Sequence, residues 1–162
     1  MVLFGRRNIP HGTILQKRAH APLVIQVETS PDGRLLATCG SDSTIKLWRV
    51  QPDGLQLQHT LRGHMSYVNQ LAFSPDGARL VSTSADQTLK IWDTHRAAEL
   101  ATLYGHHGIV NSVEFTRDSR TLYSSGYDGE IRFWEAPPLA EIGLSAKSTP
   151  KQARAARSEQ SK

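Results

Sequence analysis

The chain has 162 residues, of which 38% are hydrophobic and 21% are charged. This composition is too apolar for a fully disordered protein, and no window approaches the roughly 18 continuous apolar residues of a membrane span. The net charge of +4 hides a division, because residues 20–143 hold ten Lys and Arg against fourteen Asp and Glu, whereas both ends are basic. The positive charge therefore gives no evidence for a basic binding face on a folded body.

The first residues, 1–12, are expected to form an N-terminal arm. The short apolar run at residues 2–4 is followed by Arg6 and Arg7 and then by no apolar stretch, so no export signal is predicted. The one cysteine, Cys39, excludes an intrachain disulfide and is expected to be an inert core residue. These features favour a reducing compartment, and we expect a cytoplasmic protein without a membrane contact.

Three segments of the chain align without a gap, each running from a His to a Trp that follows 28 positions later. In each segment a hydroxyl residue lies 18 positions after the His and an aspartate lies 22 after it. The three sets are His20, Thr38, Asp42 and Trp48; His64, Ser82, Asp86 and Trp92; and His106, Ser124, Asp128 and Trp134. The three sets begin 44 and then 42 residues apart. Self-similarity at a period of this length is the signature of a repeat architecture.

Within the middle repeat the pattern is that of β-structure. It predicts four strands, at residues 68–73, 79–84, 88–92 and 98–103. The turns between them contain Pro75, Gly77 and Asp86, which are typical turn residues. In the third strand, Thr88, Lys90 and Trp92 are expected to point outward. Turn signals every 8–12 residues favour an all-β protein over a helical one.

The sequence motifs Gly63-His64, Ser74-Pro75-Asp76-Gly77 and Ile91-Trp92-Asp93 carry a resemblance to a known family. The chain resembles the WD40 repeat family over roughly residues 13–136. Small departures are Ala19 in place of the Gly before His20, and Arg49 and Glu135 in place of the terminal Asp. The resemblance implies an all-β fold of three four-stranded antiparallel propeller blades in an incomplete ring. The expected repeat domain covers residues 13–143, with repeats at about 20–62, 63–104 and 105–143.

The same resemblance implies that His, Ser or Thr, Asp and Trp of each repeat form a buried hydrogen-bonded network. An alternative is that Ser82, His64 and Asp86 form a hydrolase triad. We disfavour it because the constellation occurs three times and no Gly-x-Ser-x-Gly elbow is present. No set of metal ligands and no phosphate-binding glycine motif is evident, so neither an enzyme nor a cofactor is predicted.

The function implied by the resemblance is that of a non-enzymatic scaffold for protein–protein interaction. Binding in such folds usually uses loop residues on a rigid scaffold. The candidate partner-binding residues are Tyr67, Gln87, His107 and Tyr127. The alternative for Tyr67 is that its ring only packs its own loop. The identity of the partner proteins does not follow from the sequence.

Three blades are too few for a closed ring, because propellers typically have about 4–8. Residues 13–16 resemble the outer strand of an earlier blade, and residues 139–143 are expected to supply the last strand of the third. The chain is therefore expected either to be the C-terminal part of a longer propeller, which we favour, or to assemble with further copies of itself.

The tail, residues 144–162, is predicted to be disordered, or to form a transient helix near residues 153–157, because residues 145–157 hold no large apolar side chain. Its excess of Lys and Arg leaves nucleic-acid or polyanion binding through the basic termini as an alternative function. No aromatic residue is interleaved in the tail for base stacking, so we favour a solvated terminus.

Overall fold

The structure, a computed structural model, describes residues 17–135 as eleven strands in three antiparallel sheets. The first sheet contains β1 Val24–Thr29, β2 Leu35–Gly40, β3 Thr44–Gln51 and β4 Gly54–Arg62. The second contains β5 Val68–Phe73, β6 Arg79–Ser84, β7 Leu89–Asp93 and β8 Ala98–Leu103. The third contains β9 Val110–Phe115, β10 Thr121–Gly126 and β11 Ile131–Glu135.

In every sheet the strands that follow each other along the chain are hydrogen-bonded neighbours, and the described residues form no closed ring. The all-β prediction with three separate blades is therefore confirmed. The third sheet has three strands within the described residues. The fourth strand expected at 139–143, the strand expected at 13–16, the arm and the tail all lie outside that range. Residues 17–135 contain no helix that is long and apolar enough to cross a membrane.

The turn between the first two strands of each sheet is built by a hydroxyl and an aspartate. In the second sheet, Ser74 Oγ donates to Asp76 and accepts from the Arg79 backbone N–H. Gly77 then takes a φ of 70°, a left-handed conformation that suits glycine. The third sheet has Thr116-Arg117-Asp118-Ser119 in place of Ser-Pro-Asp-Gly and keeps the same turn, with Ser119 at a strained, left-handed φ of 59°.

The middle sheet is buried on both sides, because it lies between the other two. Alternate residues of each strand point to opposite faces of a sheet. In β7, Trp92 belongs to the core shared with the first sheet, whereas Leu89 and Ile91 belong to the core shared with the third. The expected outward orientation of Lys90 and Trp92 is therefore wrong, since their exposed fractions are 8% and 2%.

Two apolar cores hold the three sheets together. The core between the first and second sheets contains Ala37, Cys39, Ile45, Leu47, Leu61, Val68, Leu71, Phe73, Leu80 and Trp92. The core between the second and third contains Ala72, Val81, Leu89, Ile91, Val110, Val113, Phe115, Leu122 and Trp134. Burial raises the pKa of the Cys39 thiol to about 12, so this thiol stays protonated at neutral pH.

Candidate functional site

The four repeated polar residues of the second sheet come together in one hydrogen-bonded chain. Trp92 Nε1 donates to Ser82 Oγ at 2.9 Å, and Ser82 Oγ lies 2.7 Å from His64 Nε2. His64 Nδ1 lies 2.8 Å from Asp86 Oδ2. Because an ionised carboxylate only accepts, Nδ1 carries the proton toward Asp86, and Nε2 faces the Ser82 hydroxyl.

The other two sheets repeat this arrangement. In the first sheet, His20 Nε2 lies 2.8 Å from Thr38 Oγ1 and His20 Nδ1 lies 2.9 Å from Asp42 Oδ1, while Trp48 Nε1 donates to Thr38 Oγ1 at 2.9 Å. In the third sheet, the corresponding distances between His106, Ser124, Asp128 and Trp134 are 2.8, 2.7 and 2.8 Å. The structure thus brings together all twelve residues that the sequence singled out for the networks.

Each network is anchored by its aspartate, which ties the loop before the first strand to the turn between the second and third. Asp86 Oδ2 accepts from the Met65 backbone N–H at 2.9 Å, and Asp86 Oδ1 accepts from the Thr88 hydroxyl at 2.7 Å. In the third sheet, Asp128 Oδ2 accepts from the His107 backbone N–H at 3.0 Å. In the second and third sheets the network therefore fixes the backbone of two loops as well as the interior of the sheet.

These hydrogen bonds also set the charge state of the aspartates. Burial alone would raise the pKa of Asp86, but bonds from His64, Thr88 and the Met65 N–H outweigh it and hold the pKa well below its usual range. The same balance, with bonds from the His107 N–H and His106, lowers the pKa of Asp128 to about 2. The pKa of Asp42 is also lowered, again by hydrogen bonds that outweigh burial. All three carboxylates are therefore ionised at neutral pH.

Burial limits what the networks can do chemically. The side chains of His20, His64 and His106 are at most 1% exposed, and Ser82 is fully buried. A substrate carbonyl does not reach Ser82 Oγ in this arrangement, which disfavours the hydrolase alternative. Among residues 17–135, no three His, Cys, Asp or Glu side chains are grouped as a metal site.

The family model described as WD domain, G-beta repeat matches residues 12–49, 55–93 and 97–135. The chain belongs to the WD40 repeat family. The resemblance stated from the sequence is thereby confirmed, and each network lies inside one matched WD40 segment. WD40 repeats generally mediate protein–protein interaction and are in general not enzymes. A comparison with curated proteins gives no match.

The WD40 segments do not coincide with the sheets. The segment 55–93 begins with β4, the outer strand of the first sheet, and continues through the three inner strands of the second. The segment 97–135 likewise joins β8 of the second sheet to β9, β10 and β11. Each of these two segments therefore links two neighbouring blades covalently. The domain and repeat limits expected from the sequence stay a prediction.

The four candidate partner-binding residues lie on loops at one end of the sheets, which we call the loop face. Their backbone is held while their side chains face solvent. The Tyr67 carbonyl accepts from the Ala85 N–H at 3.1 Å, and the Tyr127 N–H donates to the Ile109 carbonyl at 2.9 Å. The exposed fractions of Tyr67 and Tyr127 are 38% and 75%.

Gln87 and His107 complete the loop face. Gln87 takes a φ of 70°, so this exposed residue forms the left-handed corner of the turn after Asp86. His107 is also exposed, although its backbone N–H is held by Asp128. Tyr67 and Gln87 belong to loops of the second sheet, and His107 and Tyr127 belong to loops of the third.

Side-chain hydrogen bonds between sheets were not anticipated from the sequence, and glutamines make some of them. Gln26 Oε1 accepts from the Leu71 N–H, and Gln70 Oε1 accepts from the Val113 N–H at 2.9 Å. Each glutamine therefore supplies a hydrogen-bond acceptor to a backbone N–H of the edge strand of the following sheet. The available signal was that Gln26 and Gln70 occupy the same position of two repeats, 44 residues apart.

A groove of about 440 Å³ lies between the first and second sheets, at the end opposite the loop face. Its lining includes four basic or imidazole side chains, Arg34, Arg49, His59 and His95. Asp32 also lines it and lies 3.8 Å from Arg34, measured from Oδ2 to Nε. The groove was not predicted from the sequence, because its lining combines strand and turn residues of two different sheets.

Proposed function

We propose that this chain is a non-enzymatic scaffold that binds other proteins on the loop face formed by Tyr67, Gln87, His107 and Tyr127. The observation that carries the proposal is the combination of a fixed backbone and free side chains. The side chains of Asp86 and Asp128, which are 8% and 7% exposed, hold the loops from below, and Tyr127 and His107 project into solvent above them.

Such a surface suits protein recognition for a physical reason. Tyrosine supplies a large amphipathic contact area and has few rotatable bonds, so it loses little entropy on binding. Because the backbone beneath Tyr67 and Tyr127 is already hydrogen-bonded, little further ordering is required when a partner binds. Residues of this kind dominate the binding energy of many protein interfaces.

Affinity capture with matched variants tests the proposal. The variant Tyr67→Ala/Tyr127→Ala removes both aromatic side chains of the loop face. His95→Ala is the control, because His95 is an exposed ring side chain in the turn between β7 and β8, at the end of the sheets opposite the loop face. We expect proteins retained by the native chain and by His95→Ala to be lost with the double variant. An identical set of bound proteins for all three chains would contradict the proposal.

Binding of nucleic acid or another polyanion through the basic termini is the second candidate function. It is supported by the excess of Lys and Arg in residues 1–19 and 144–162. Such binding weakens steeply with salt, because each neutralised phosphate releases a counterion. The test is the binding of a labelled RNA or DNA duplex at increasing salt. Salt-sensitive binding that disappears when residues 144–162 are deleted would favour this function over the scaffold.

A further inference from the structure

The outer side of the third sheet is an apolar face without a neighbour among the described residues. We call the side of each sheet that carries its repeat tryptophan the Trp face, and the other side the reverse face. On the reverse face of the third sheet, Tyr123, Ile131 and Phe133 are exposed, the last two by 70% and 61%. At the same repeat positions, the reverse faces of the other sheets are buried; they carry Ala37, Ile45 and Leu47, and Val81, Leu89 and Ile91.

The first sheet is open on its opposite side. On its Trp face, Val24 and Val27 are exposed by 38% and 52%. The equivalent residues of the second and third sheets are Val68 and Leu71, and Val110 and Val113, and all four are at most 1% exposed. Leu57, which lies opposite Trp48 on β4, is also exposed. Among residues 17–135, the reverse face of the third sheet is therefore uncovered, and the Trp face of the first sheet is uncovered at Val24, Val27 and Leu57, although Trp48 itself is buried.

The interior of the molecule shows what covers a reverse face. The reverse face of the first sheet packs against the Trp face of the second, where Trp92 shares a core with Ile45 and Leu47. The reverse face of the second packs against the Trp face of the third, where Trp134 shares a core with Leu89 and Ile91. The partner that fits Ile131 and Phe133 is by the same rule a Trp face, and the chain itself carries an uncovered one.

The charges at the two open faces are complementary. Glu114 lies opposite Tyr123 on the reverse face of the third sheet and accepts a hydrogen bond from Tyr123 Oη at 3.0 Å. Glu135 follows Phe133 on the same face. On the Trp face of the first sheet, Lys46 alternates with Trp48, and Lys17 Nζ lies 5.3 Å from the centroid of the Trp48 ring. The reverse face of the third sheet thus carries acidic side chains and the Trp face of the first sheet carries basic ones, which favours their association.

We propose that two copies of this chain associate head to tail, with the reverse face of each third sheet seated on the Trp face of the other copy's first sheet. The two contacts are identical and heterologous, so they close a ring without leaving either face exposed. The ring has six blades, within the range of about 4–8 that propellers typically show. Contiguous apolar patches of this kind are rarely left uncovered on monomers.

The test is the solution mass of the 162-residue chain, measured by light scattering after size exclusion at micromolar concentration. We expect twice the chain mass of 17.9 kDa. Phe133→Asp blocks the reverse face of the third sheet, and Val27→Asp blocks the Trp face of the first. Each variant alone is expected to halve the mass. Tyr104→Asp, at an exposed residue outside both faces, is the control and keeps the native mass.

Mixing the two blocked variants distinguishes a head-to-tail contact from a symmetric one. A chain with Val27→Asp still offers its reverse face, and a chain with Phe133→Asp still offers its Trp face. The mixture is therefore expected to regain the doubled mass, as a one-to-one complex. If a blocked chain unfolds, as followed by circular dichroism, the milder pair Phe133→Ser and Val27→Ser replaces it.

Several results overturn the proposal. If the native chain is monomeric, two copies do not cover each other's open faces. These faces would then need another partner, such as further blades in a longer chain. A polydisperse series of larger species contradicts a closed ring of two. A variant that remains dimeric alone, or a mixture that stays monomeric, replaces the head-to-tail contact with a different one.

Discussion

Trp92 and His64, which are 28 residues apart in the sequence, are both hydrogen-bonded to the one hydroxyl of Ser82. Their ring centroids lie 6.3 Å apart and the rings meet edge to face at 64°. The polar network and the packing of the two rings thus share a single centre. A change at Ser82 disturbs both partners while leaving the surface of the molecule unaltered.

Replacement of this hydroxyl tests how much the network contributes to stability. In Ser82→Ala, the indole N–H of Trp92 and the Nε2 of His64 lose their partner in a buried place. A buried polar group without a partner costs about 1–3 kcal/mol, and we expect a loss of that size in the free energy of unfolding. Urea unfolding of Ser82→Ala and of the loop variant Ser66→Ala measures it. Equal stability of the two variants would contradict a bracing role.

The ionised aspartates make stability depend on pH in a defined direction. The pKa values of Asp86 and Asp128 are lowered in the folded state, to about 2 for Asp128, whereas an unfolded Asp has a pKa of about 3.9. Below pH 5 the unfolded chain takes up protons first, so the stabilisation is complete above that pH and is lost as pH falls toward 2. Urea unfolding between pH 6 and pH 3 checks this.

The matched variant for this experiment is Asp86→Asn/Asp128→Asn, which keeps the size of both side chains and removes both titrations. We expect it to be less stable than the native chain at pH 6 and to lose less stability on acidification. A parallel decline of the two proteins from pH 6 to pH 3 would show that these carboxylates do not carry the pH dependence.

Two substitutions in the turns after the network aspartates are expected to change the free energy of unfolding in opposite directions. Gln87 has a φ of 70° and Gly129 has a φ of 76° at the same repeat position. Gln87→Gly relieves the left-handed strain and is expected to raise the free energy of unfolding by about 0.5–1 kcal/mol. Gly129→Ala has room for its methyl group, yet it is expected to cost about 1 kcal/mol through the backbone alone. Thermal unfolding of both variants measures these changes. If both substitutions change the stability in the same direction, left-handed strain at this repeat position is contradicted.

Gln70 is predicted to couple the second sheet to the third. Its Oε1 accepts from the Val113 N–H at 2.9 Å, and in Gln70→Ala this N–H loses its partner. We expect faster amide exchange at Val113 and a loss of about 1–3 kcal/mol in stability. Gln70→Glu retains an acceptor oxygen and is expected to keep the protection of Val113. Unchanged exchange at Val113 in Gln70→Ala would rule out this coupling.

Much of the fold was predictable from the sequence, because its decisive signals are local. The strand at residues 68–73 and the turn at 74–77 follow from alternation and turn chemistry, and the structure shows both. The network residues were detectable because the same residue types recur at fixed offsets. Their distances in the structure follow from the strand register, in which Ser82 lies opposite Lys90, two positions before Trp92.

The features that the sequence did not predict correctly all depend on the packing of one sheet on another. Alternation in residues 88–92 reveals two faces of a strand but does not tell which of them is covered, so Lys90 and Trp92 were assigned to the wrong environment. The hydrogen bond between Gln70 and Val113 and the exposure of the face at Phe133 also depend on which sheet packs against which. No local pattern encodes which sheet lies next to which.

Hydrogen exchange at the three indole Nε1–H groups, followed by NMR, tests the central claim that matching polar side chains brace each sheet from within. The chain has three tryptophans, and each donates to a buried hydroxyl. We expect three slowly exchanging indole protons in the native chain, and in Ser82→Ala we expect fast exchange at Trp92 alone. Rapid exchange of all three indole protons in the native chain would contradict the account.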